Sequence, residues 1–381
     1  MTSPCKWIFI AAAFIPCFGT LSGAEPSEGR WRTAFVKRGF VGAFQDVWLK
    51  GPGSVIRSST PIPFDGTKVK VQVSGGNYQT ELEQLSLVKG MDEKGRVEGP
   101  RYPILFEGHP TVSFTTGTQA WSDEIAIPIK RGTWYVQDSY RSSKMPYAWD
   151  QNGSSCDVKG SEAKESLAST IKSCRVGILT RIDVFTTDTR PGIVCYGDSI
   201  THGAGATPNA GMSYPDQLAK ILDRPVLKLG VNGDRIPGNV MAIASLQGVD
   251  IVLFLMGIND ILTGSVKSVS EYAAKVDRIV KGLAAQKLRV LVGTLPPAGG
   301  YKQFDENPDL EKLRQEINGW IRTSSGADNV IDFDKALADP AAPSKMKKEF
   351  QSDWLHPSDQ GYKKMAETAA DAVSVSAEKN E

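Results

Sequence analysis

Histidine is scarce in this chain: His109, His202 and His356 are the only three among 381 residues. Any imidazole base or metal ligand must come from that short list. The signatures H-E-x-x-H, C-x-x-C, G-x-x-x-x-G-K and G-x-G-x-x-G are missing too, which argues against zincin, thioredoxin-like, P-loop and Rossmann dinucleotide chemistry. No metal and no cofactor is therefore expected. Nor is there a surplus of charge. The first 24 residues hold one Lys and no acid, so the rest of the chain balances 43 basic against 43 acidic residues. That balance gives no electrostatic case for nucleic acid or an anionic membrane as partner. What remains is an ordinary globular composition, 40% apolar and 23% charged, and a length that suits two domains of roughly 100 to 200 residues each.

The longest apolar stretch is at the N-terminus, and it is short. Lys6 supplies a positive start, Trp7 to Phe18 an apolar run broken by Pro16, and Ser22-Gly23-Ala24 a small-residue cleavage site. This is the pattern of a signal peptide over residues 1–24, well under the roughly 20 apolar residues that span a bilayer. The protein is expected to be secreted or periplasmic, without membrane insertion. Cys5 and Cys17 leave with the signal. Cys195, inside Ile193-Val194-Cys195-Tyr196, reads as a core residue. Cys156 and Cys174 flank a polar segment in an oxidising compartment and are expected to pair as a disulfide.

The hydrophobic period changes near residue 190. Over residues 25–188 it is two: Lys68-Val69-Lys70-Val71-Gln72-Val73 alternates, as does Ile125-Ala126-Ile127-Pro128-Ile129, and the short runs Thr111 to Thr116 and Thr133 to Val136 lie between turn residues. Many short strands predict an antiparallel β-sandwich, jelly-roll-like, with residues 141–170 as a surface excursion. Over residues 189–381 apolar runs at Gly192 to Tyr196, Pro225 to Val231, Val249 to Met256 and Arg289 to Leu295 alternate with amphipathic stretches. One of these, Tyr272, Val276, Ile279, Val280 and Leu283, follows helical spacing behind Ser270 as N-cap. Strands apolar throughout are buried on both faces, which predicts a doubly wound α/β domain with its ligand site beyond the carboxyl ends of the strands.

Polar residues cluster at those ends. The first run leads into Gly197-Asp198-Ser199-Ile200-Thr201-His202-Gly203, placing a serine on the rim without forming the G-x-S-x-G elbow. The second ends in Asn232-Gly233-Asp234 and the third in Met256-Gly257-Ile258-Asn259-Asp260. Both are places where a backbone or amide N–H can face a developing oxyanion. Near the C-terminus, Asp353-Trp354-Leu355-His356-Pro357-Ser358 spaces a carboxylate and an imidazole by three, so one can orient the other. Ser358 then reads as the cap of a final helix.

Together, G-D-S-I-T, G-x-N-D and D-x-x-H-P in this order resemble the SGNH, or GDSL, hydrolase family over residues 191 to about 376. The resemblance implies a flavodoxin-like α/β/α domain and metal-independent ester hydrolysis. It assigns Ser199 as nucleophile, His356 as base and Asp353 as its partner, with Ser199, Gly233 and Asn259 forming the oxyanion hole. His202 is the other imidazole near the serine. No acid is placed to orient it, so it is expected to line the acyl pocket or the surface.

The segment Tyr102 to Tyr140, with Phe106-Glu107-Gly108 and Ser122-Asp123, is similar to the β-rich N-terminal region of secreted SGNH esterases related to acetylxylan esterases. That implies an acylated polysaccharide or oligosaccharide as partner. Trp121, Trp134, Trp149, Tyr301 and Trp354 are candidates for stacking on sugar, Trp354 lying inside the triad motif itself. The loop Pro296 to Pro308 is expected to wall the cleft. A lipid-directed lipase or lysophospholipase and a non-catalytic carbohydrate-binding protein are the alternatives. Arg190 and Pro191 join the two domains without a linker, which predicts a fixed interface and an N-terminal region that helps to build the cleft.

Overall fold

A computed structural model describes residues 28–37, 54–75, 80–90, 99–115, 117–140, 148–149, 156–159, 175–176, 178–208 and 210–378. The signal segment lies outside them, as do most of residues 141–170, Cys174 and the side chains of Cys156 and Trp149, so the expected disulfide does too.

Among the described residues the N-terminal region forms two large antiparallel sheets and a two-stranded one, Ala148–Trp149 with Arg175–Val176. In one of the large sheets, Arg30–Val36, Leu179–Thr186 and Gly66–Ser74 pair in that order, and Gln119–Trp121 and Ile125–Ile129 both pair with Gly66–Ser74. In the other the order is Cys156–Lys159, Ser54–Ile62, Gly132–Tyr140, Thr80–Val88 and Arg101–Ile104, with Val112–Phe114 also on Thr80–Val88. Alternation decides the inner faces. Val69, Val71, Val73, Ile182 and Val184 from the first sheet join Leu85, Leu87, Trp134 and Val136 from the second in one buried cluster.

The C-terminal region is built on five parallel strands: β1 (Gly192–Gly197), β2 (Val226–Gly230), β3 (Val249–Leu255), β4 (Arg289–Gly293) and β5 (Asn329–Ile331). Their order is 2-1-3-4-5, the flavodoxin-like arrangement. Every residue of β1 is buried, as a strand covered on both faces requires. Among the described residues eight α-helices follow the strands: α1 (Ser199–His202), α2 (Tyr214–Leu222), α3 (Ile258–Leu262), α4 (Val269–Ala284), α5 (Lys302–Glu306), α6 (Pro308–Ser324), α7 (Phe333–Leu337) and α8 (Asp359–Glu378). Helix α2 packs on α8, and α4 packs on α6. Tyr272, Val276, Ile279, Val280 and Leu283 form the buried stripe of α4, as their spacing predicts. Its N-cap is Ser268 rather than Ser270, because the Ser268 hydroxyl accepts from the Glu271 N–H one turn on and Ser270 already lies inside the first turn. Ser358 does cap α8, accepting from Gly361.

Among the described residues the two regions are fixed together, as the absence of a linker predicts, and the hydrogen bonds and ion pairs between them lie at the amino ends of the parallel strands. Arg32, fully buried, donates across the boundary to Gly248 O while Asp188 of its own region holds the guanidinium at 2.9 Å. Thr33 N donates to Gln247 O, and Gln247 N donates back to the Thr33 hydroxyl. Arg131 pairs with Asp223, and Arg190, itself held by Asp223 O, donates across the boundary to Pro63 O. Gln247 and Gly248 precede β3, while Asp223 precedes β2. These bonds therefore engage the end of the sheet opposite the predicted site, about 16 Å away along β1 at roughly 3.3 Å per residue.

Candidate active site

At its carboxyl end β1 passes directly into α1. Asp198 is the N-cap, its carboxylate accepting from Ile200 N at 3.0 Å, so Ser199 becomes the first helical residue, its N–H without an intrahelical acceptor. The Ser199 Oγ lies 2.8 Å from His356 Nε2. On the far side of the ring, His356 Nδ1 lies 2.8 Å from Asp353 Oδ2. With the proton on Nδ1, the ring donates to Asp353 and Nε2 accepts the serine hydroxyl.

The loop that presents the ring is pre-shaped. Asp353 Oδ1 accepts from the backbone N–H groups of both Leu355 (3.0 Å) and His356 (2.7 Å), so one carboxylate folds the turn and holds the imidazole. Burial acts to raise the Asp353 carboxyl, but the bonds from the His356 ring and backbone outweigh it and leave it below the usual range. Trp354, between the two, adopts a left-handed backbone with φ of 68°, a conformation that is strained for a bulky side chain. Its indole packs on Gly300, where a Cβ would come within 2.7 Å of the ring. Glycine is required there twice over, because Gly300 itself has φ of 95°. From α8, Tyr362 donates to Ala204 O at 2.6 Å, tying the His356 segment to the chain just beyond Ser199.

The oxyanion-hole candidates converge from two more strand ends. Gly233 follows β2 in a left-handed turn, φ 72°. Asn259 stands in α3, its Nδ2 donating to Asp234 O at 2.9 Å and lying 3.5 Å from Asp198 Oδ2. Helix α3 can start where it does because Gly257, at φ of 133°, sits over the Tyr272 ring, whose hydroxyl donates to Met256 O. Burial pushes the Asp198 carboxyl up to about 7, the bond from Ile200 N opposing and the charges of Asp234 and Asp260 adding to the rise.

The remaining candidates divide. His202 ends α1 and is buried rather than at the surface, its backbone so close to Gly230 that a Cβ there would collide with it. Tyr301 and Trp354 are half-buried on the loop side of the site. Trp134 belongs to the N-terminal core, donating its indole N–H to Lys130 O, and is removed from the stacking candidates. Trp121 is exposed on the N-terminal sheet. Asp198, Asp260 and Gly300 escaped the sequence reading as working parts, although the two acids stand inside the quoted motifs. Among the described residues no group of three or more His, Cys, Asp or Glu could hold a metal ion, and no helix is long and apolar enough to cross a membrane.

Residues 195–364 match the GDSL-like Lipase/Acylhydrolase family. The matched segment carries Ser199, Gly233, Asn259, Asp353 and His356. Solved structures similar to about half of this chain include three esterases or lipases. A carbohydrate acetylesterase from Sinorhizobium meliloti shares 16% identity over 49% of this chain and 99% of its own, with a TM-score of 0.39. An aryl esterase from M. smegmatis gives the same four values. A GDSL-like lipase from Bacteroides thetaiotaomicron shares 15% over 50% of this chain and 89% of its own, at 0.38. No curated protein matches the chain.

Proposed function

We propose that this chain is a secreted or periplasmic serine esterase of the SGNH/GDSL type that removes small acyl groups, acetyl above all, from carbohydrate. The observation that carries the reading is the unbroken relay Ser199–His356–Asp353, with both links at 2.8 Å. His356 takes the Ser199 proton as Oγ attacks the ester carbonyl, Asp353 stabilises the imidazolium, and the proton passes to the leaving alcohol. The Ser199 and Gly233 N–H groups and the Asn259 amide stabilise the tetrahedral oxyanion, each worth roughly 100- to 1000-fold in turnover. Water then repeats the sequence on the acyl-serine.

The rim favours a polar substrate. Asn232 and Arg235 are exposed beside Gly233. The exposed large apolar side chains of the described residues, Trp121, Ile221, Met241 and Val375, all lie outside the loops that carry the site. The two large N-terminal sheets are read as a β-sandwich accessory unit. Acetate release across acetylated xylan, pectin, glucomannan and chitin fragments, beside p-nitrophenyl acetate and palmitate, tests the proposal. Turnover of acetyl esters with little of palmitate is expected; preference for palmitate moves the reading to a lipase, and inactivity on all of them overturns it.

A further inference from the structure

We infer that Asp260, with Lys275 as its counter-ion, is the positioning residue that holds the oxyanion hole in register; the inference rests on the esterase reading above. Gly233 must be fixed by something other than its own packing. No heavy atom lies within 4 Å of where a Cβ of Gly233 would stand, so side-chain packing at this position does not hold its N–H in place. The chain on either side is anchored instead. Upstream, Val231 N donates to Gly197 O at 3.2 Å. Downstream, two consecutive residues of α3 grip the same three-residue segment: Asn259 Nδ2 donates to Asp234 O at 2.9 Å, and Asp260 Oδ2 accepts from Ile236 N at 2.9 Å. One short helix thus carries the side-chain donor of the hole and clamps the loop that carries a backbone donor.

Asp260 can serve as that clamp because its charge is compensated. Its side chain is fully buried, and its Oδ1 accepts from Lys275 Nζ at 3.0 Å and the Ser265 hydroxyl at 3.2 Å. Lys275 comes from α4 and also reaches Ser265 O at 3.3 Å. A buried carboxylate that loses its cation must take up a proton or move toward water, and either change loosens the bond to Ile236. The hydroxyls and amides it touches cannot substitute for that charge.

The test uses the full-length protein with Asp260→Asn, Lys275→Met, the double variant and Lys275→Arg. Each is read at temperatures well below its unfolding transition by kcat and KM on p-nitrophenyl acetate, and by the rate at which a p-nitrophenyl phosphonate modifies Ser199, a reaction that also builds negative oxygen in the hole. Asp260→Asn is expected to lower kcat and phosphonylation together by roughly 10- to 100-fold, less than outright loss of a donor, with KM within about threefold. The double variant should be no worse than Asp260→Asn, and Lys275→Arg should stay within about threefold of the parent protein. If Asp260→Asn does not fold, the Lys275→Met and Lys275→Arg pair carries the same comparison. A lowered melting temperature with kcat and phosphonylation within twofold of the parent would make Asp260 purely structural and overturn the inference. A parent protein that neither hydrolyses the ester nor is modified at Ser199 fails the esterase reading instead.

Discussion

At their carboxyl ends the five parallel strands carry small residues, left-handed turns and groups brought together from different loops: Ser199 with His356, Asn259 with the segment after Gly233, and Trp354 on Gly300. At their amino ends the same strands meet Arg32, Thr33, Arg131 and Arg190, which bond to main-chain carbonyls and carboxylates of Asp188, Asp223, Gln247 and Gly248. One end holds strained backbone that places reactive atoms, and the other holds hydrogen bonds and an ion pair that join two regions. A substitution should therefore be diagnosable by which end it touches: turnover at one, cohesion at the other.

The largest separation is expected in the relay. Ser199→Ala and His356→Ala should each remove nearly all turnover of p-nitrophenyl acetate, by a factor on the order of a million where such residues act as a unit, with the double variant hardly worse. His202→Ala should keep most of it. Thermal unfolding should change little in Ser199→Ala. A His202→Ala protein that is dead beside an active His356→Ala would reverse the assignment of the base.

At the opposite end, Arg32→Ala breaks a buried ion pair and should lower unfolding free energy by roughly 3 kcal/mol in urea titrations, while kcat of the folded protein stays within about twofold. A large loss of kcat at full folding would mean that the N-terminal region acts on the chemistry after all.

A third comparison sets pH against stability. The folded protein keeps the Asp198 proton up to about 7, whereas an unfolded chain releases it near 4. Between those values the folded state binds more protons, so this group lowers stability as pH rises. Asp198→Asn, which can still cap α1, removes the effect. Relative to the parent protein its melting temperature should therefore gain between pH 5 and 8; parallel curves would refute the raised value.

The smallest effect is local. Both Trp354→Ala and Trp354→Gly lose the contact with Gly300, but glycine tolerates the left-handed backbone and should be the more stable of the two by about 1 kcal/mol. Equal stability in chemical denaturation would show that the strain is relieved elsewhere.

The parallel sheet was legible because two-sided burial writes itself as continuous apolar runs, as in Gly192 to Tyr196. Only β5 was missed, three residues too few to carry a pattern. Ser268 and Ser270 are chemically equivalent caps, and backbone geometry alone chose between them. Trp134 was misread although a signal existed: it shares a strand face with the inward Val136. The docking of the N-terminal region had no local signal, since Arg32 finds its partners more than 150 residues away. Ser199, Asp353 and His356 were readable from spacing and resemblance together. Asp260 was not, because its role appears only once α3 and the loop after β2 lie side by side.

The mechanism depends most on Ser199 being an activated nucleophile, and mass spectrometry of the protein after exposure to a p-nitrophenyl phosphonate reads that directly. One covalent adduct per chain is predicted, mapping to Ser199, absent from Ser199→Ala and formed far more slowly in His356→Ala. An adduct on another residue, or one formed at Ser199 as fast without His356 as with it, would contradict the mechanism.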